Sequence, residues 1–144
     1  MPMNRITAIL LITLLSACSD NDYVESKTSK EILAQLKAED FLSIDFSQFG
    51  GPKWTKVCFL GPYNESSEKA LGFNWQVSDY TSVLESDGHN VVVFATNNEV
   101  IEYVIHSRRD GDFWKISGDC FSREKSTLTR DKENGSRNYV PPKA

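Results

Sequence analysis

The sequence predicts an α+β domain, a single antiparallel sheet of four to five strands carrying one or two short helices. Three observations lead there. Short runs rich in Val, Ile, Phe and Trp are separated by Gly, Pro, Asn and Asp turn signals. Two stretches carry the residues that start a helix. Asn90–Thr96 and Glu99–Ser107 flank Asn97-Asn98, and a two-residue Asn-Asn loop suits the primed turn of a hairpin.

Taken in order, Thr28-Ser29-Lys30-Glu31 matches a capping box, and Ile32, Leu33 and Leu36 then share one helix face. Phe41, Leu42, Ile44, Phe46 and Phe49 are spaced apolar residues that end at the breaker Gly50-Gly51-Pro52. Trp54–Leu60 reads as a strand stopped by Gly61-Pro62. Asn64 is the expected N-cap of a short helix ending near Leu71. Glu65 and Glu68 lie early in it, Lys69 late, and Gly72 falls at C′. Phe73, Trp75 and Val77 alternate, which suggests another short strand, and Ser86-Asp87-Gly88 reads as a turn.

The Asn-Asn turn sets Thr96 opposite Glu99, Phe94 opposite Ile101 and Val92 opposite Tyr103. A second turn at Arg108-Arg109-Asp110-Gly111 returns Asp112–Ser117 as a third strand, with Ile105 opposite Trp114 and Tyr103 opposite Ile116. One face of this meander then gathers Val92, Phe94, Ile101, Tyr103, Ile105, Trp114 and Ile116. A one-residue slip would scatter the set, so the agreement favours the register. The opposite face mixes valines with Glu102, His106 and Lys115.

Ahead of the domain, residues 1–17 have the order of an export signal: Arg5, the apolar run Ile6 to Leu15, then the small residues Ser16 and Ala17. The run is far shorter than the roughly 20 residues that span a bilayer. Leu15-Ser16-Ala17-Cys18 resembles the lipobox of bacterial lipoproteins. The resemblance implies cleavage before Cys18, a diacylglycerol on its thiol and an acyl chain on its new amine. No other cofactor is expected. Each buried CH₂ contributes about 0.8 kcal/mol, so several chains together hold firmly. In that family Ser19, rather than Asp, after the Cys points to the outer membrane, with the domain facing the periplasm. An ordinary secretory signal with a Cys at its end is the alternative. The expected boundaries are 1–17 for the signal, 18–27 for a polar tether, 28–121 for the domain and 122–144 for a polar, poorly ordered tail.

The chain has 16 basic and 20 acidic residues, a formal net charge of −4. Nothing in the sequence suggests nucleic-acid binding, which usually needs a clustered basic face. Six basic and three acidic residues fall between Ser122 and Ala144, either a solvated terminus or a contact for anionic lipid or cell-wall polymer. With Cys18 carrying lipid in an oxidising compartment, Cys58 and Cys120 are left as a disulfide pair. Two buried free thiols are the competing reading.

No constellation for catalysis stands out. His89 and His106 are not at ligand spacing and sit in no Cys/His cluster, so no metal site is expected. There is no Gly-x-Ser-x-Gly elbow, and Phe49-Gly50-Gly51-Pro52 lacks the Lys and Ser/Thr of a phosphate loop. Asp110 and Asp112 flank Gly111 as turn residues with too few oxygen ligands for calcium. Tyr63, Trp75 and Tyr80 form a candidate aromatic binding surface. Trp54 and Trp114 are assigned to the core. The run from Trp54 through Cys58-Phe59-Leu60-Gly61-Pro62-Tyr63, with Leu71-Gly72-Phe73 and a late Cys-Phe, is similar to small proteobacterial lipoproteins, which implies no activity. The expected function is a module that binds an envelope protein, as inhibitor, immunity or accessory factor. An assembly accessory of an outer-membrane complex is one alternative. A cell-wall hydrolase is another, and it requires His89 or His106 in a cleft with a carboxylate.

Overall fold

The computed structural model describes residues 25–64, 66–133 and 136–143. The export signal, Cys18 and most of the tether lie outside them. The described residues form two helices and two antiparallel sheets, which is the α+β class expected.

Helix α1 runs Lys27–Ala38. Its N-cap is Ser26, whose hydroxyl accepts from the Ser29 N–H at 3.1 Å. The cap therefore lies two residues before the one expected. Thr28 and Ser29 are instead buried within the helix, and Ser29 Oγ donates to the carbonyl of Ile105. Ile32 and Leu36 are fully buried. The helix ends through Asp40 and Phe41, both at positive φ, with the Phe41 N–H returning to the Leu36 carbonyl at 2.7 Å.

The main sheet contains β2 (Lys56–Leu60), β3 (His89–Ala95), β4 (Val100–Ser107) and β5 (Cys120–Ser122) in the order β4-β3-β2-β5. A smaller sheet joins β1 (Ser43–Asp45), β6 (Thr127–Arg130) and β7 (Tyr139–Val140) in the order β1-β6-β7. Strands β2 and β3 bury both faces. Val57, Phe59, Val92 and Phe94 join a cluster with Ile32, Leu36, Phe46, Trp54, Leu128 and Tyr139. Cys58, Leu60, Val91, Val93 and Ala95 join a second cluster with Leu71, Val77 and Leu84. Helix α2 (Ser67–Leu71) serves that second face, and Gly72 stops it at φ 81°.

The hairpin forms, but its register changes within it. Ala95 faces Val100 as expected, whereas Phe94 faces Glu102, Val93 faces Tyr103 and Val92 faces Val104. A bulge between Phe94 and Ala95 absorbs one residue of β4. Every later side chain on β4 changes face. Val104 thus packs in the first cluster, while Tyr103 and Ile105 pack against the second.

The expected third strand, Asp112–Ser117, is instead a 3₁₀ turn at Trp114–Ile116. Asp112 explains the change. Its carboxylate accepts from the Trp114 N–H at 2.9 Å and holds Arg108 through two bonds of 3.0 and 2.7 Å. A side chain that satisfies the backbone locally competes with a ladder. Strand β4 is therefore left at one edge of the sheet, and β5 pairs with β2 at the other. Trp114 is 48% exposed rather than core, while Trp54 is buried and donates to the Phe49 carbonyl at 2.7 Å. The Phe73-Trp75-Val77 segment is also not a strand, because Val77–Asp79 turns as 3₁₀.

The tail after residue 121 is corrected too. Strand β6 pairs with β1 and β7 pairs with β6. Leu128 and Tyr139 are fully buried, and the Tyr139 hydroxyl donates to the Phe41 carbonyl at 2.8 Å. The domain therefore extends well past residue 121.

Candidate functional site

The sequence-derived aromatic surface is partly assembled. Trp75 stacks on Tyr80 with ring centroids 4.9 Å apart and planes 15° apart. Tyr103, on edge strand β4, lies 5.9 Å from each ring. Helix α2 positions this group. Ser67, fully buried, donates from its hydroxyl to the Trp75 carbonyl at 2.9 Å and accepts from the Val77 N–H at 3.0 Å. The Trp75–Val77 segment is thereby tied to the first turn of α2, and Tyr80 follows within one 3₁₀ turn. Tyr80 is 55% exposed.

Tyr63 does not join them. It lies in a separate depression with Asn64, Gln76, Val77 and Leu84. Its hydroxyl engages Asp87, which pushes its pKa above the usual tyrosine value. Tyr103 was the member missed, because the expected register assigned it to the core-facing set of the meander.

The aromatic group opens onto a shallow depression of about 510 Å³ that is also lined by Asn98, Glu99 and Glu102. Among the described residues neither glutamate has an ion-pair partner. The nearby cation is already engaged: Lys56 Nζ donates to the Leu71 carbonyl and sits 5.5 Å from the Phe73 ring. The depression is thus aromatic and acidic.

Cys58 and Cys120 are joined by a disulfide between β2 and β5. His106 is 2% exposed and packs against Phe113 with centroids 5.5 Å apart. Burial pushes its pKa down to about 4, against a weaker opposing pull from Asp110. Its Nε2 has no hydrogen-bond partner. His89 is half-buried at the start of β3, in register with Ser107. Asp110 is the carboxylate nearest in effect to His106, but the imidazole lies in the core rather than in a cleft.

Among the described residues no group of three or more His, Cys, Asp or Glu is placed to hold a metal ion. Among them, too, no helix is long and apolar enough to cross a membrane. No protein-family model matches the chain, and neither a curated protein nor a solved structure matches it.

Proposed function

We propose that the protein is a lipid-anchored envelope module that captures a protein partner through the Trp75, Tyr80 and Tyr103 platform. The anchor rests on the sequence: the tripartite signal, the lipobox-like Leu15-Ser16-Ala17-Cys18, and Ser19 favouring the outer membrane. The binding role rests on one observation, a stacked pair of half-buried Trp75 and exposed Tyr80 beside two carboxylates that form no ion pair among the described residues. Stacked rings are already held in one geometry, so contact costs little further side-chain entropy. An arginine on the partner can lie over Tyr80 and meet Glu99 or Glu102 at once. The partner surface is therefore basic.

The test is in-cell cross-linking of the tagged chain followed by recovery from native membranes. One saturable partner is expected, lost on Tyr80→Ala or Glu102→Lys and kept on Tyr63→Ala. Recovery that is the same for all three variants, or no partner above background, overturns the reading. The identity of the partner also separates the roles. A stoichiometric enzyme target indicates an inhibitor or immunity factor, and membrane machinery indicates an assembly accessory.

A further inference from the structure

On another part of the surface, three arginines from separate segments meet. Arg109 lies in the turn after β4, Arg130 ends β6 and Arg137 precedes β7. They line one concavity of about 260 Å³ together with Phe41, Gly111 and Tyr139. Only Asp110 among the lining residues is acidic.

Two of the three side chains are held in place by neutral groups. Arg130 Nε donates to the Ser136 carbonyl at 2.9 Å, and Arg137 Nη1 donates to the Arg109 carbonyl at 3.1 Å. A guanidinium has five N–H donors in a planar fork, so each keeps most of its donors available. Among the described residues none of the three forms an ion pair. Nearby carboxylates are committed elsewhere, Asp112 to Arg108 and Asp131 to Lys115. The Tyr139 hydroxyl is also committed, to Phe41. Three like charges share the concavity with one carboxylate, Asp110, which leaves a net positive charge there, and the chain fixes two of the arginines by backbone bonds rather than letting them spread. A planar carboxylate accommodates one or two such forks. Three forks lining one concavity from different segments suit a tetrahedral anion.

We propose that Arg109, Arg130 and Arg137 form a binding site for a phosphate group, supplied as the free anion or on a lipid headgroup. The site is separate from the aromatic platform and does not depend on its role.

The test follows phenylglyoxal labelling of Arg109, which is exposed, by mass spectrometry on the full chain held in phosphatidylcholine vesicles at fixed pH and ionic strength. Arg123, which lies 4.1 Å over the Trp54 ring and outside the concavity, is the internal control. Inorganic phosphate is expected to protect Arg109 saturably while leaving Arg123 unchanged. Loss of one charge-assisted fork in Arg130→Gln or Arg137→Gln should raise the half-protecting concentration about tenfold. Either variant suffices if the other does not fold. Protection by phosphatidic acid in the vesicles, without added phosphate, assigns the headgroup. Protection by added phosphate alone assigns the free anion. Equal slowing at Arg109 and Arg123, equal protection in the variants, or no protection from either source overturns the site.

Discussion

Cys58 and Cys120 stand directly opposite each other on antiparallel neighbours β2 and β5, their Cα atoms 4.0 Å apart. The bond fastens the short edge strand β5, which has only three residues, to the centre of the sheet. It also closes a loop with a sequence separation of 62. The chain-entropy model assigns such a loop about 4 kcal/mol of stabilisation. Cys58→Ser should therefore lower the unfolding free energy by about that amount and release one thiol, at Cys120, to a thiol reagent. Denaturant melts with and without reductant check this. A variant that melts like the parent would remove the disulfide from the account of stability.

Gly50 and Gly51 share a φ of +70°, yet they face different surroundings. A Cβ on Gly50 would meet the Phe94 ring at 2.7 Å, whereas one on Gly51 would meet nothing within 4 Å. Both alanine variants carry the left-handed backbone cost of about 1–2 kcal/mol. Only Gly50→Ala adds overpacking, for a total of about 3 kcal/mol or more. Urea midpoints of the two variants measure the difference. Equal losses would show that close approach to Phe94 is not why glycine stands at position 50.

Local signals decide which parts of the fold can be read from the sequence. Helix α1, the β3–β4 hairpin, β2 and the helix stop at Gly72 all carry local signals, namely a periodic face, an Asn-Asn turn, a β-rich run and a glycine in the left-handed region. The bulge carries none. Ile101, Tyr103 and Ile105 alternate with Val100 and Val104, so either register places apolar residues on both faces. The small sheet is hidden because its core residues beyond position 121, Leu128 and Tyr139, are isolated in a polar stretch, and Leu128 pairs with Ile44, a strand more than eighty residues earlier, while Tyr139 joins through β6. Trp75 and Tyr80 were legible because they are close in sequence. Tyr103 and the three arginines come together only through the fold.

Tyr139 gives a direct measure of how far the last segment belongs to the domain. Its ring is 1% exposed, packs 5.8 Å from Phe113, and its hydroxyl reaches Phe41 at the end of α1. Tyr139→Ala should cost about 3–5 kcal/mol, as for other buried aromatic truncations. Tyr139→Phe, which removes one hydrogen bond, should cost about 1 kcal/mol. Equilibrium unfolding gives both values. Losses below about 0.5 kcal/mol in both variants would return residues 127–140 to the status of a dispensable tail.

His106 links the core to pH. Its pKa is lowered from 6.5 to about 4, chiefly by burial, with His89 adding to the shift and Asp110 opposing it. The folded state therefore keeps the imidazole neutral where the unfolded chain binds a proton. Between the two values the unfolded state holds more protons, so stability rises with pH across that window. The contribution is complete above about pH 6.5 and is lost as the pH falls toward 4, by about 3 kcal/mol in all. His106→Phe substitutes a ring that does not titrate. Its unfolding free energy should change less between pH 6.5 and pH 4 than that of the parent, by about the same 3 kcal/mol. The carboxylates that titrate near the bottom of the window are common to both proteins and cancel in the comparison. Parallel pH profiles would mean that His106 takes up its proton within the folded core, and the burial that isolates it would then have to open at acid pH.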